Sequence, residues 1–223
     1  MQLTHEHIAK VAQALVDVDA IKVSTQQPFI YTSGWASPVY LDICQLMSVP
    51  IQRSEVMHTT MQFLAGIISD SGINAIVGAE SSGIAFAAWI ADRANLPMLY
   101  LRKRPIGWGV DAQIEGKLPQ NPKILLVDDV TTDGRSKVGA ALALRKARAT
   151  IHDIFVLVNF DIYQHTTKKF EENHLKLHAL ITWPKLYQVL ASTAQLPPLQ
   201  KKSIEDFNDS PITWSLKHGG VGA

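Results

Sequence analysis

The chain has 223 residues, of which 47% are hydrophobic, and this length predicts one compact domain with appendages. Its 21 Lys and Arg residues almost balance its 20 Asp and Glu residues, and the formal charge of +1 argues against a protein that neutralises long stretches of nucleic-acid phosphate. The single cysteine, the lack of an apolar signal region at the start and the lack of a run of about 18 apolar residues predict a cytoplasmic protein with no nucleic-acid or membrane partner.

The first 70 residues combine two helical segments with one extended segment. Residues 4–18 carry apolar side chains at helical spacing after Thr4, a suitable N-cap. The stretch FIYTSGWASPVYLD, residues 29–42, is aromatic and β-branched around a central turn and predicts two short strands joined by a loop. Residues 50–69 predict a second helix that begins near Pro50.

From residue 75 onward, short apolar runs alternate with helical segments. The helices are predicted at 83–95 and 136–147, and the runs lie at 75–79, 98–102, 123–129, 154–160 and 177–181. Strands that are apolar on every residue and separated by helices indicate an α/β fold with a mostly parallel central sheet flanked by helices. Such sheets bind ligands beyond the carboxyl ends of their strands, so the informative residues are expected after positions 79, 102, 129 and 160.

The stretch ILLVDDVTTDGRS, residues 124–136, meets that expectation most directly. Asp128 and Asp129 end an apolar run, and two adjacent carboxylates repel unless a cation or hydrogen-bond donors compensate. A ribose diol suits this pair, and a sugar that carries magnesium suits it better. The turn Thr131–Ser136 leads into a helix N-terminus, where backbone N–H groups and hydroxyls bind phosphate. An ordinary acidic turn is the alternative, but the flanking strand and helix favour a site for ribose 5-phosphate.

The same stretch resembles the phosphoribosyl diphosphate (PRPP) motif of type I phosphoribosyltransferases. Three further stretches are similar to the orotate phosphoribosyltransferases of that family: FIYTSGWASPVYLD to the orotate-site segment, VGAESSGIAFAAWIA to the diphosphate loop, and YLRKRPIGWGVDAQIEG to the mobile catalytic loop. The matches run in order over about residues 29–147. The resemblance implies the type I phosphoribosyltransferase fold as a single domain. Residues 20–45 and parts of the C-terminal region would form a small hood, and residues 103–121 a lid loop.

The resemblance also implies roles for individual residues in the transfer of the 5-phosphoribosyl group of PRPP to orotate, which yields orotidine 5-phosphate and diphosphate. The catalytic residues would be Arg102, Lys103, Asp128 and Asp129. PRPP would also contact Glu80, Ser81, Ser82, Thr131, Thr132, Asp133, Gly134, Arg135 and Ser136. The base would be bound by Thr32, Ser33, Gly34, Val39, Tyr40 and Leu41.

Magnesium and a second subunit complete what the resemblance implies. Mg²⁺ would be held mainly by PRPP, with Asp128 and Asp129 as possible protein ligands. The lid, with Gly107 and Gly109 as hinges, would close over the neighbouring subunit's site, so a homodimer is expected.

Several positions depart from the family pattern and leave the base open. Ile106 and Trp108 stand where the lid usually has a lysine and a histidine, and Thr32 and Ile162 also replace usual cations. The alternatives are therefore a phosphoribosyltransferase for another base, or a PRPP-binding regulator without catalysis. Outside the motifs, Cys44 is expected to be a buried filler, and the residues after Leu196 a peripheral or frayed tail.

Overall fold

The computed structural model describes residues 3–106, 113–163, 165–192 and 196–222. The chain begins with a helix capped by the Thr4 side chain, as predicted, and continues into two small antiparallel sheets. One sheet pairs the first strand with the fourth, and the other pairs the second with the third, across the predicted turn. These elements are α1 (His5–Asp17), β1 (Ile21–Val23), β2 (Phe29–Ile30), β3 (Ala36–Ser37), β4 (Val39–Leu41), a 3₁₀ helix (Ile43–Ser48) and α2 (Pro50–Ser71).

A six-stranded sheet forms the centre of the molecule. Its strand order is β10-β9-β8-β5-β6-β7, and every neighbouring pair is parallel except β6 and β7. All five predicted strands are present, so the predicted α/β fold with a mostly parallel sheet is confirmed. The strands are β5 (Ala75–Ala79), β6 (Met98–Leu101), β7 (Ile114–Glu115), β8 (Lys123–Thr131), β9 (Thr150–Asn159) and β10 (Lys176–Thr182).

Helices cover both faces of this sheet. They do so because successive side chains of a central strand point to opposite faces, and both sets are apolar and buried. In β8, Leu125 and Val127 face one apolar cluster, whereas Ile124 and Leu126 face the other. The helices between the strands are α3 (Ser82–Ala94), α4 (Arg135–Lys146) and α5 (His165–Glu172), and α6 (Trp183–Ser192) follows the last strand. Among the described residues, no helix combines the length and the apolarity needed to cross a lipid bilayer.

The residues after Leu196 are folded rather than frayed, which corrects the expectation from the sequence. They form α7 (Pro198–Asp209) and α8 (Pro211–Lys217), and α8 packs against β3. Ile204 and Phe207 are fully buried in the larger cluster. The sequence is misleading here because these few apolar side chains stand among many polar ones, so the polar composition hides the buried face of the helix.

Candidate functional site

A cleft of about 1120 Å³ opens at the carboxyl ends of β5, β6 and β8. This is the edge of the sheet where a doubly wound fold binds ligands. Its walls bring together most of the residues singled out from the sequence: Thr32, Ser33, Tyr40, Leu41, Glu80, Ser81, Ser82, Arg102, Lys103, Asp128, Asp129, Thr132, Asp133, Arg135 and Ser136. Gly34, Val39, Thr131 and Gly134 do not line the cleft and lie behind its surface.

The two adjacent aspartates differ in their surroundings. Asp128 is 8% exposed and forms an ion pair with Lys137, whose ammonium lies 2.5 Å from a carboxylate oxygen. Lys137 is itself only 5% exposed and also lines the cleft. It is the compensating cation that the acidic pair requires, although the sequence analysis did not identify it. The one signal was its position in the first turn of α4, next to the carboxyl end of β8.

Asp129 is harder to ionise than an ordinary aspartate. Burial, followed by repulsion from Asp128, raises the pKa of Asp129 to about 7, although Lys137 acts in the opposite direction. One oxygen of Asp129 accepts the backbone N–H of Val130 at 2.8 Å. A ligand that brings hydroxyl donors or a cation to this carboxylate would favour its ionised form.

Cys44 lies close to the same acidic pair but has no nucleophilic character. Burial raises the pKa of its thiol to about 11, and the charges of Asp129 and Asp42 act in the same direction. Because only the thiolate is a strong nucleophile, this raised pKa argues against a nucleophilic role for Cys44. The side chain is only partly buried, so the expectation of a buried filler was wrong about its burial.

The turn between β8 and α4 is shaped by Gly134 and Asp133. Gly134 has a φ of +76°, and a Cβ atom there would lie 2.9 Å from the ring of Phe170, so glycine is required on both conformational and steric grounds. Burial alone would raise the pKa of Asp133, but hydrogen bonds from the backbone and side chain of Arg135 and from Trp35 outweigh it and lower the pKa. Asp133 is therefore a fixed anion that orders the turn.

Helix α5 supports this turn from outside the cleft. The hydroxyl of Thr166 donates to the carbonyl of Thr132 at 3.1 Å, and the ammonium of Lys169 donates to the carbonyl of Asp133 at 2.8 Å. Both carbonyls thus have partners, which holds the turn in place. At the start of α4, the backbone N–H of Arg135 donates to Asp133 and that of Lys137 to the carbonyl of Gly134. Neither α5 nor these two contacts can be predicted from the sequence, because an eight-residue helix with few apolar residues gives a weak periodic pattern.

The loop after β5 lies against the acidic pair without any intervening side chain. A Cβ atom on Gly83 would lie 2.4 Å from the carbonyl oxygen of Val127 and 3.1 Å from the Cα of Asp128. A Cβ atom on Gly78 would lie 2.7 Å from the carbonyl oxygen of Gly83. These two glycines allow the start of α3, with Ser81 and Ser82, to pack directly against the end of β8.

The predicted cations of the cleft are held near its edge. The guanidinium of Arg102 donates to Glu115 at 2.6 Å and to the hydroxyl of Tyr100 at 3.2 Å. Lys103 is exposed, and its backbone N–H donates to Glu80 at 2.7 Å. Ile106 is 64% exposed, whereas Gly107, Trp108 and Gly109 lie outside the described residues.

Aromatic side chains form the side of the cleft that faces the small sheets. The ring of Tyr40 is 44% exposed and lies 5.7 Å from the ring of Phe29 and 6.3 Å from that of Tyr31. The hydroxyl of Tyr31 donates to the carbonyl of Val39, so that carbonyl already has a partner. Ile162, where the family usually has a cation, packs against the larger apolar cluster. A flat ring could stack on Tyr40. Thr32 and Ile162, however, give this wall no positive charge at the two positions where the family usually has a cation.

The donor set of the cleft fits a magnesium ion that arrives with its ligand. Asp128 and Asp129 offer the carboxylate oxygens that Mg²⁺ prefers, but Asp128 is already paired with Lys137. Within the described part of the chain, no group of three or more His, Cys, Asp or Glu side chains could hold a metal ion by itself. The residues therefore fit an ion whose remaining ligands are phosphate and hydroxyl oxygens.

Comparisons with known proteins found relatives that match nearly the whole chain. No protein-family model matches the chain. The orotate phosphoribosyltransferase of Agrobacterium fabrum strain C58 is 35% identical over 214 residues, which are 95% of this chain and 91% of the relative. That of Sinorhizobium medicae strain WSM419 is 36% identical over 216 residues, 96% of this chain and 92% of the relative.

Solved structures show the same fold at lower identity. The UMP synthase of Leishmania donovani superposes with a TM-score of 0.77 at 23% identity, over 90% of this chain and 42% of that one. The orotate phosphoribosyltransferase of Aeropyrum pernix gives a TM-score of 0.71 at 24% identity, over 82% of this chain and 99% of that one. The likeness to these structures extends over most of the chain.

Proposed function

The chain belongs to the orotate phosphoribosyltransferase family, and we propose that it transfers the 5-phosphoribosyl group of PRPP to orotate in the synthesis of UMP. The observation that carries the proposal is the acidic pair, Asp128 and Asp129, on the wall of the cleft and directly before the ordered turn 131–136. A sugar diol and a monophosphate that are joined as in ribose 5-phosphate need these two adjacent subsites.

In the proposed complex, the acidic pair accepts hydrogen bonds from the ribose hydroxyls. The turn 131–136 and the first N–H groups of α4 bind the 5-phosphate, supported from behind by Thr166 and Lys169. The ion pair with Lys137 holds the Asp128 side chain in place. Apart from Thr166 and Lys169, these groups belong to residues 128–137, one continuous segment that runs from the end of β8 through the turn into α4.

The reaction breaks the bond between the anomeric carbon and diphosphate and forms a bond from that carbon to a ring nitrogen of orotate, with inversion. Negative charge builds up on the departing diphosphate, so donors that are already aimed at it lower the barrier. Ser81, Ser82, Arg102 and Lys103 line the adjacent wall and suit this task. Mg²⁺, bound with PRPP, would add positive charge at the same oxygens.

Orotate would stack near Tyr40, with Thr32 and Ser33 as polar contacts. The Ser33 hydroxyl oxygen is buried and has no hydrogen-bond partner within the described residues, so it is free to bind a ligand. Water must be kept from the positive sugar in the transition state, which is the proposed role of the loop 103–121.

Mixing the purified protein with PRPP, Mg²⁺ and orotate and following the loss of orotate absorbance tests the proposal directly. Turnover is expected, and the double variant Asp128→Asn/Asp129→Asn is expected to lose PRPP binding. Circular dichroism checks that this variant is still folded, because Lys137 loses its partner and the free energy of unfolding changes. Turnover with uracil, hypoxanthine or adenine but not orotate would reassign the base. Tight PRPP binding without turnover on any base would indicate a regulator.

We further propose that the protein acts in the cytoplasm as a homodimer whose 103–121 loop reaches the partner's site. Mixing the Lys103→Ala variant with the Asp128→Asn variant tests the shared loop. In a mixed dimer, the Asp128→Asn protomer would supply an intact loop and the Lys103→Ala protomer an intact acidic pair. A mixed dimer would then regain one intact site, and about a quarter of wild-type activity is expected. Activity that stays at the level of the separate variants would mean that each loop serves its own subunit.

A further inference from the structure

The loop 33–36 connects the base-side wall of the cleft to the phosphate-binding turn. The indole N–H of Trp35 donates to the carboxylate of Asp133 at 3.3 Å. The guanidinium of Arg135 donates to the carbonyl of Ser33 at 3.1 Å. The loop is therefore held on one side by residues of the turn 131–136.

Its other side is held by a segment almost 180 positions later, which we name the 215–221 clamp after its first and last residues. The hydroxyl of Ser215 accepts the backbone N–H of Ala36 at 2.9 Å and donates to the carbonyl of Val221 at 2.7 Å. The N–H of Val221 in turn donates to the carbonyl of Gly34 at 2.9 Å. Two backbone groups of the loop thus depend on the clamp for their hydrogen bonds.

The packing between clamp and loop leaves no room for further atoms. Ser215 is fully buried. A Cβ atom on Gly220 would lie 2.3 Å from the backbone nitrogen of Ala36 and 2.4 Å from the Ser215 hydroxyl. A Cβ atom on Gly34 would lie 2.9 Å from the side chain of Val221. Contacts this close fix the position of the loop backbone.

The clamp is anchored in the core, so it can act as a rigid support. The ring of Trp214 in α8 packs edge-on against that of Phe207 in α7, with centroids 5.5 Å apart. Phe207 is fully buried, and the indole N–H of Trp183 in α6 donates to Asn208 at 2.8 Å. The position of the clamp is thus set by the main body of the protein.

We propose that the 215–221 clamp is a positioning element for the base, with Ser215 and Gly220 as its key residues. This inference rests on the proposed function of the cleft. A binding loop that is ordered before the ligand arrives spares the ligand the cost of ordering it. Without the clamp, the loop that bears Ser33 and Trp35 gains conformational freedom. Binding of the base then has to order this loop, and the affinity for the base falls.

The effect is expected to fall on the base rather than on PRPP. The turn 131–136 has its own support from α5, through hydrogen bonds from Thr166 and Lys169 in which the clamp takes no part. The backbone N–H of Arg135 also donates to Asp133 within the turn at 3.1 Å. Releasing the loop therefore leaves the turn in place.

The test compares Ser215→Ala with Ser192→Ala in the full chain. Ser192 is the matched control because its exposed hydroxyl donates to the Val189 carbonyl in its own helix. Hydrogen exchange of the Ala36 amide is expected to be about tenfold faster in Ser215→Ala, with unchanged exchange at 131–137. The KM for orotate is expected to rise about three- to tenfold while the KM for PRPP changes less than about twofold.

Gly220→Ala is the second variant, and its added methyl group is expected to produce a larger change in the same direction. Unaltered exchange at Ala36 in folded Ser215→Ala, or equal changes in both KM values, would overturn the inference. Should the wild-type protein fail to use orotate, the proposed function fails. In that case, hydrogen exchange of the Ala36 amide still decides whether the clamp holds the loop 33–36.

Discussion

Lys137 and Asp128 form a nearly enclosed ion pair, 2.5 Å apart, whose side chains are only 7% and 12% exposed. Asp128 lies near the end of β8, and Lys137 lies in the first turn of α4. Taking either charge away leaves the other poorly solvated, and such a loss is strongly destabilising.

Lys137→Met is therefore expected to lower the free energy of unfolding by about 3 kcal/mol. Urea unfolding followed by circular dichroism measures it. The double variant Lys137→Met/Asp128→Asn removes both charges and is expected to recover much of that loss. A single variant as stable as the wild type would mean that solvent already screens the pair.

Asp129→Asn is expected to stabilise the free protein in a pH-dependent way. The folded-state pKa of about 7 lies above the ordinary value of 3.8, so ionising Asp129 costs stability. This cost develops as the pH rises from about 4 to 7 and is constant above that range.

The gain from Asp129→Asn is thus expected to be on the order of 2–4 kcal/mol at pH 8 and clearly smaller at pH 5. Thermal unfolding at the two pH values measures it, with Asp209→Asn as the control at an exposed position. An equal gain at both pH values would contradict the raised pKa. The same variant is expected to bind PRPP more weakly, as is common where a site sacrifices stability for function.

Gly83→Ala is expected to destabilise the protein because its methyl group would meet the backbone of β8 at 2.4 Å. Overpacking of this kind costs about 1–3 kcal/mol, and here it would also displace Asp128. Gly139→Ala is the matched control, since a Cβ atom there has no neighbour within 4 Å and alanine favours the helix. Denaturant unfolding of both variants compares the two positions, and equal stabilities would show that α3 can shift freely.

Ile106→Lys is expected to raise the rate of turnover if the leaving diphosphate lacks a cation from the lid. Ile106 is 64% exposed, so the change does not disturb the core. Ile51→Lys, at a position 79% exposed on α2, controls for the added charge. Initial rates at saturating PRPP and orotate measure the effect. If both variants match the wild type, another cation already serves the leaving group.

The central sheet could be predicted from the sequence because its strands are apolar on nearly every residue. The run before Asp128 and Asp129 placed that pair at the end of a strand, and the Asp-Gly turn after it placed the following helix. Lys137 could not be found in this way, since a lysine in a helix is ordinarily a solvent-exposed residue. Its burial depends on the carboxylate that β8 places beside it.

The supports of the site were also beyond the reach of sequence patterns. Thr166, Lys169 and Ser215 reach the cleft through single hydrogen bonds to backbone groups far away along the chain. Such contacts leave no periodicity, because they depend on how separate elements pack. The lid residues Gly107 and Gly109 lie outside the described part of the chain, and their role as hinges stays a prediction.

The two halves of the cleft differ in how much change they can absorb. At Gly83 a Cβ atom would meet a backbone carbonyl of β8, so the spacing between the proposed sugar and diphosphate subsites is set by backbone packing, and even a methyl group at this position is expected to disturb it. The wall that faces the base is attached by a few side-chain hydrogen bonds to separate segments. Selection for a new nucleobase could therefore rework that wall while the machinery for the shared donor substrate stays untouched.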